Sequence, residues 1–466
     1  MPDETAPALT RAMHHALAYL GNLEQAPAGA TTDLAGMRRQ LLKPLGEGPL
    51  PAEQVIDELV ADSQGGLLNC AGGRFYAWVV GGSVPAALAA DWLTSAWDQN
   101  AGLYASGPAA GIAEEAAGAW LKELLNIPEE ASFALVTGCQ MAHVTCLAAA
   151  RHAVLSAKGW DVEERGLFGA PPIRIVSGNQ RHGSVARAIR LLGFGRNSVL
   201  DLPVDRHGCL EPASLATALQ AGPGQPTIVL LQAGELNTGA FDPFAELIPV
   251  AKKHGAWVHI DGAFGLWAAA SPGLRHLLRG AEAADSWATD GHKWLNVPYD
   301  SGYAFVRDAA AHRASMSHRE SYLIHDADAR DPMDWTPEWS RRARGFATYA
   351  ALRQLGRSGV AELVGRCCEQ ARALVLGIGA LAGAEVVWEP RINQGLVRFL
   401  SPAGEDHDAY TDFVISKVVA SGEAFVGGVT WRGKRCMRIS VSNWRTTESD
   451  VQRVIAAFAG VLAASR

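Results

Sequence analysis

From about residue 133, short runs of β-branched, aromatic and other apolar residues alternate with stretches in which apolar positions recur every three or four residues. The short runs lie near 133–136, 173–177, 198–202, 227–232, 257–261, 286–289 and 302–306, and the pattern predicts a strand at each. Helical spacing fills many of the gaps, over 141–157, 184–193, 212–220 and 243–254. Strands alternating with helices predict βαβ units and a large α/β domain on a mostly parallel sheet, whose ligand would lie at the carboxyl ends of the strands.

The flanks have different patterns. Residues 8–60 show helical periodicity interrupted at Gly21, Pro27, Pro44 and Pro51, which predicts an arm of two or three helices. Residues 64–110 are rich in glycine and aromatics (Phe75, Tyr76, Trp78, Gly81, Gly82) and read as a lining or interface segment rather than a regular element. A helix is expected over 111–127, stopped before Pro128. Residues 317–339 are polar, without periodicity, and predict a long loop, a feature usually kept for function. Helices at 341–356 and 359–382, strands near 384–388, 395–400, 424–431 and 436–441, and a helix at 447–464 predict a small α+β domain. The expected organisation is an arm with interface segment (1–110), a large α/β domain (111–316), a loop (317–340) and a small domain (341–466).

Composition narrows the function. Of 466 residues, 48% are hydrophobic, enough to fill a core and to exclude disorder as the main state. A net charge of −7 argues against nucleic acid as a partner. Seven cysteines are too few for a disulfide scaffold; Cys367 and Cys368 are adjacent, and no Cys/His set has zinc spacing. No apolar run is long enough to span a membrane and the first ten residues do not read as a signal peptide, so a cytoplasmic protein is expected. Asp326, Asp328 and Asp331 superficially resemble a calcium loop, but its central glycine and final glutamate are missing, and no metal is expected.

Two runs carry candidate chemistry. Trp257-Val258-His259-Ile260-Asp261-Gly262-Ala263 ends a buried strand in a carboxylate, which needs a cation or donor unless it merely caps the following turn. Ser286-Trp287-Ala288-Thr289-Asp290-Gly291-His292-Lys293-Trp294 places one of only eight lysines in apolar surroundings. Desolvation there would lower the ammonium pKa and expose a nucleophilic amine; a lysine snorkelling to the surface is the plain alternative. Gln180-Arg181-His182-Gly183-Ser184 opens a helix. Val136-Thr137-Gly138-Cys139-Gln140-Met141-Ala142-His143 joins a strand to a helix, whose free N–H groups suit a phosphate as readily as a plain turn. Asn237-Thr238-Gly239-Ala240-Phe241-Asp242-Pro243 is a turn in either case. Arg438 lies in an alternating strand, and its fork suits a carboxylate or simply solvent.

These motifs, in this order over about 70–455, resemble the fold type I pyridoxal-phosphate enzymes, and the His-Lys-Trp run resembles the group II amino-acid decarboxylases, such as aromatic amino-acid and glutamate decarboxylases. The resemblance implies that Lys293 condenses with the cofactor aldehyde, that Asp261 pairs with the ring nitrogen, and that Ala263 and His182 flank the ring. It also implies a phosphate site around Gly138, Cys139 and Gln140, with Thr289 and His292 nearby. Thr238 would contact the ring hydroxyl or substrate, Arg438 the substrate carboxylate, and Trp78 and Val79 an apolar substrate side chain. Cys139, Gln140 and His143 depart from the family's Gly-Gly-Ser/Thr-x-Ala-Asn type run, and Asp290 puts an anion where the family often has a neutral residue. The implied reaction is decarboxylation of an L-amino acid to an amine and carbon dioxide, in a homodimer with shared active sites. Pro332 falls where decarboxylases carry a loop tyrosine that protonates Cα, with Tyr322 or His325 nearby. Three alternatives therefore stand: decarboxylation with oxidative deamination to an aldehyde, another carbon–carbon lyase, and a non-enzymatic module whose site has decayed.

Overall fold

The computed structural model describes residues 3–318, 320, 323 and 328–465. Among them, a seven-stranded sheet is built from β1 (Ser132–Val136), β2 (Arg174–Gly178), β3 (Val199–Leu202), β4 (Thr227–Gln232), β5 (Trp257–Asp261), β6 (Ser286–Asp290) and β7 (Gly302–Val306), in the order β1-β7-β6-β5-β4-β2-β3. β7 is antiparallel to both neighbours and the other pairings are parallel. All but β2 and β3 are buried along their whole length, which is why they read as continuous apolar runs rather than alternating ones. A four-stranded antiparallel sheet follows: β8 (Ala384–Trp388), β9 (Gln394–Phe399), β10 (Gly427–Trp431) and β11 (Lys434–Ser440), in the order β10-β11-β9-β8.

The N-terminal arm is α1 (Thr5–Gly21), α2 (Leu34–Leu41) and α3 (Ala52–Ser63). Next come α4 (Pro85–Trp97) and α5 (Pro108–Leu124). The large domain carries α6 (Cys139–Ser156), α7 (Val162–Arg165), α8 (Gly183–Leu191), α9 (Pro212–Gln220), α10 (Phe244–Lys253) and α11 (Ala309–Met316). The small domain holds α12 (Gly345–Gly379), α13 (His407–Ala420) and α14 (Glu448–Ala464).

Some elements differ from the sequence expectation, α4 and α13 most clearly. α4 lies inside the segment expected to be irregular; Pro85 starts it and Asp98, in the left-handed region, ends it. α13 went unseen because its Thr-, Phe-, Val- and Ile-rich run carries no clear helical stripe; Asp406 caps it by accepting from Ala409 N at 2.9 Å, and it packs on β9 and β11. The two helices expected at 341–356 and 359–382 are both present as the two halves of α12, parted at Gly356, whose φ of 60° only glycine adopts at little cost. No helix among the described residues is long and apolar enough to cross a membrane.

Parallel pairing aligns the ends of β4, β5 and β6: Gln232 lies opposite Asp261, and Asp261 opposite Ala288. Two carboxylates therefore emerge side by side at one sheet edge, Asp261 from β5 and Asp290 from β6. The start of α6 reaches the same edge because Gly302 lacks a side chain; a Cβ there would lie 2.4 Å from Gly138.

Candidate active site

A cavity of about 290 Å³ opens at this edge. Asp261, Lys293, His182 and Ala263 line it from the large domain, Arg438, Gly427 and Val429 from the small domain, and Trp78 and Val79 from the segment before α4. Trp78 and Val79 have φ of 57° and 59°. Two successive left-handed non-glycine residues, one of them β-branched, are strained, and such strain gathers at functional sites. Their turn is fastened to the lysine loop: Gly81 N donates to the His292 carbonyl at 3.3 Å and Gly82 N to Asn296 Oδ1 at 2.9 Å.

Lys293 Nζ lies 3.0 Å from Asp290 Oδ2. Burial pushes its ammonium pKa down, but the carboxylate of Asp290, with that of Asp261, outweighs burial and leaves the amine above its ordinary value. This corrects the expectation of a lysine made neutral by desolvation alone. Asp261 accepts from Ala263 N at 3.1 Å and lies 3.6 Å from His143 Nε2. Burial would raise its pKa, yet His143, His182, Lys293 and the Ala263 N–H together hold it below the ordinary carboxylate range. It is an anion ready to sit beside a protonated ring nitrogen.

A family model described as the pyridoxal-dependent decarboxylase conserved domain matches residues 43–400. The chain belongs to the pyridoxal-dependent decarboxylase family. It is 28% identical over 432 residues to tryptophan decarboxylase 1 of Oryza sativa subsp. japonica, covering 86% of this chain and 82% of that protein. It is 24% identical over 363 residues to phenylacetaldehyde synthase of Petunia hybrida, covering 76% and 72%. The crystal structure of Oryza sativa TDC with PLP and tryptamine superposes with a TM-score of 0.91 at 24% identity, covering 100% of this chain and 98% of that one, and so shares its fold. The decarboxylase is thus a pyridoxal-phosphate-dependent carboxy-lyase acting on amino acids.

The residues present fit that cofactor. Lys293 and Asp261 face one cavity, with His182 and Ala263 on its walls. At the start of α6, Gln140 Nε2 is a buried donor with no partner, a group that a phosphate oxygen would satisfy. One feature of the decarboxylase opposes the phosphate: Asp290 Oδ1 already accepts from Cys139 N at 2.5 Å, capping α6 with a carboxylate. Gly138 is packed beside the His292 ring, since a Cβ there would lie 3.0 Å from His292 Cε1. His292 accepts from Ser301 N at 3.1 Å and stacks on Tyr299 at 4.2 Å.

Other expected residues fall differently. Thr238 is fully buried and donates to the His207 carbonyl at 2.8 Å and to Glu235 at 2.9 Å, so its hydroxyl is spent within the turn rather than offered to the cavity. Thr289 is also fully buried, 3.4 Å from the Ala263 carbonyl, and fixes the ring-facing strand end from behind. His182 satisfies both of its readings: it caps α8, accepting from Ser184 N at 3.2 Å, and it lines the cavity. Arg438 donates to the Leu236 carbonyl at 3.2 Å; burial lowers its pKa to about 10, with Glu235 opposing, so it remains a cation at neutral pH.

Pro332 lies in a buried turn against residues 102–104 and does not line the cavity of its own chain. Tyr322, His325 and Asp326 lie outside the described residues. Sequence reading missed Phe264, Gln232, Gly234 and Leu236 as cavity lining. It also missed the convergence of Cys139, His143 and Asp261, whose ligand atoms lie within 4.8 Å of one another. Their separation along the chain hid this cluster from a search for zinc spacing.

Proposed function

We propose that the decarboxylase takes an L-amino acid with an aromatic or aliphatic side chain and releases carbon dioxide and the amine. The observation that carries this reading is one cavity holding Lys293, Asp261 and Arg438 beside an apolar wall of Trp78, Val79, Phe264 and Val429. No acidic or basic side chain besides these and His182 faces that cavity among the described residues, and a charged substrate side chain would find no further partner there.

The roles follow from chemistry. When bound, pyridoxal phosphate supplies a protonated ring that accepts the electron pair left at Cα as the carboxylate departs. Asp261 keeps the proton on that ring nitrogen. Lys293 anchors the cofactor once Nζ has lost its proton. His182 and Ala263 hold the two ring faces, and Gly138 to Gln140, with His292, hold the phosphate. Arg438 orients the substrate carboxylate, its guanidinium presenting donors that match two oxygens.

The active unit is a homodimer of soluble, cytoplasmic enzyme with shared sites. Leu9, Leu17, Val55 and Leu59 of the arm and Trp92, Leu93 and Trp97 of α4 are all exposed in the single chain, apolar side chains that a partner subunit would cover. Sedimentation of the holoenzyme tests this directly; full activity in a monomeric fraction would refute it.

Similarity to the petunia phenylacetaldehyde synthase, together with proline in place of the loop tyrosine, favours a second reading in which the same site yields an aldehyde. That outcome consumes dioxygen and water and releases carbon dioxide, ammonia and hydrogen peroxide with the aldehyde. Screening L-amino acids for carbon dioxide while measuring amine, aldehyde and oxygen uptake separates the two. Carbon dioxide and amine in equal amounts, from aromatic or aliphatic substrates only, are expected; release from glutamate alone would overturn the side-chain assignment. Lys293→Ala should remove both turnover and the cofactor's visible absorbance.

A further inference from the structure

Behind Asp261, away from the cavity, lies a buried line of polar groups. His143 Nε2 is 3.6 Å from Asp261 Oδ2, His143 Nδ1 is 3.0 Å from His259 Nε2, and His259 Nδ1 is 2.9 Å from Ser286 Oγ. Trp257 Nε1 donates to the same Ser286 oxygen at 2.9 Å. His143, His259 and Ser286 are fully buried. The line crosses three elements, running from α6 through β5 to β6, and two of its members, Trp257 and His259, are neighbours on one face of β5. His143 stands where the run it resembles has asparagine.

We propose that Trp257, Ser286, His259 and His143 form a one-way hydrogen-bond chain that ends in an N–H directed at Asp261, fixing how firmly that carboxylate holds a proton at the ring nitrogen. The proposal rests on the reading of Asp261 as the ring-nitrogen partner.

The proposed direction suits both ends. An indole nitrogen only donates, so Trp257 fills one acceptor site of Ser286 Oγ, and in the proposed polarity the serine proton goes to His259 Nδ1. His259 then carries its proton on Nε2 and donates to His143 Nδ1. His143 in turn carries its proton on Nε2, facing Asp261. At the far end His143 Nε2 faces an ionised carboxylate, which only accepts, at 3.6 Å and the Cys139 sulfur at 3.4 Å, and the proposed polarity places an N–H toward both.

Both rings remain neutral. Burial pushes His259 down to about 3, with His143 adding to the effect. Burial likewise lowers His143, although Asp261 and Asp290 pull the other way and His182 and Lys293 act with burial. Cys139 Sγ, 3.4 Å from His143 Nε2 and 4.0 Å from Asp261 Oδ1, stays a thiol, because burial raises its pKa well above the ordinary value. A neutral donor steadies Asp261 as an anion without competing for the ring proton as an imidazolium would.

His143, His259, Ser286 and Trp257 are therefore positioning residues. Nitrogen-15 spectra of histidine-labelled holoenzyme and apoenzyme between pH 6 and 8 are the test. His143 and His259 should both show the Nε2–H neutral tautomer throughout, and Trp257→Phe, which frees Ser286 Oγ as an acceptor, should move His259 toward Nδ1–H. Ser286→Ala supplies the same readout should the indole variant fail to fold. His143→Leu should weaken pyridoxal phosphate binding about tenfold and shift the pH dependence of the cofactor's visible bands, while His143→Gln, whose amide can accept and donate, restores most of both. An Nδ1–H tautomer or an imidazolium at either ring in the wild type overturns the proposal. So does a His143→Leu enzyme with unaltered affinity and band titration. Asp261→Ala separates the two levels: if it too leaves the cofactor bands unchanged, the ring-nitrogen reading itself has failed.

Discussion

Lys293 carries more than its sequence environment implied. Apolar neighbours alone would make its amine neutral, but Asp290 at 3.0 Å reverses the balance and the pKa is raised. The neutral fraction of such an amine grows about tenfold per pH unit below its pKa, so apoenzyme should take up pyridoxal phosphate faster as pH rises from 6 to 8. Stopped-flow measurement of the visible band checks the slope. Asp290→Asn removes both the partner that raises Lys293 and the carboxylate that caps α6, where a phosphate must bind. Uptake at pH 7 should accelerate about tenfold or more, with tighter cofactor binding, since one buried like-charge contact disappears. Slower uptake would overturn this assignment and show that Asp290 chiefly orients the lysine. The candidate residues themselves were legible: Asp261 and Lys293 stood out as charges in apolar runs. Their partners were not, because Asp290, Cys139 and His143 meet them only through the sheet.

At the scale of elements, tight approaches between segments define the cavity. A Cβ on Gly81 would lie 1.9 Å from the Lys293 carbonyl oxygen, closer than any side chain tolerates. Gly81→Ala should therefore part the 78–82 turn from the lysine loop and weaken cofactor retention at least tenfold, read by equilibrium dialysis, while far-ultraviolet circular dichroism stays near wild type. Arg341 and Glu114 form a second junction. They are almost wholly buried, 2.7 Å apart, and the guanidinium also donates to the Ala101 and Leu135 carbonyls, tying α5 and β1 to the approach to α12. Arg341→Met leaves Glu114 as an uncompensated buried charge and should cost about 3–5 kcal/mol in denaturant unfolding; the double variant with Glu114→Leu should recover most of it. β-strand positions were readable because burial on both faces makes continuous apolar runs. α4 and α13 were not, because caps and packing partners, rather than an apolar stripe, decide them.

For the molecule as a whole, buried imidazoles predict its response to acid. His259 and His312 are both held down to about 3, chiefly by burial. The unfolded chain would protonate them near 6.5 while the folded chain does not, so between about pH 6.5 and 3 the unfolded state binds more protons. Stability is therefore retained above 6.5 and lost as pH falls, by about 1.4 kcal/mol per unit for each ring. Urea midpoints measured from pH 7 to 5 should decline accordingly, and His312→Gln, which is remote from the cavity, should reduce the slope by one ring's share, about 1.4 kcal/mol per pH unit. An unchanged slope would show that other groups dominate the acid response.

Local chemistry in the chain determined the alternation of strands and helices, the acid that ends β5 and the lysine that follows β6, because each follows from short-range patterns of burial and charge. Tertiary structure alone decided that β7 runs antiparallel, that Asp290 caps α6 while holding Lys293, that Thr238 is turned away from the cavity, and that two histidines 116 residues apart line up behind Asp261. Those outcomes depend on distances across the sheet and between domains, and a linear pattern carries no information about which carboxylate, thiol or imidazole will meet across such a gap.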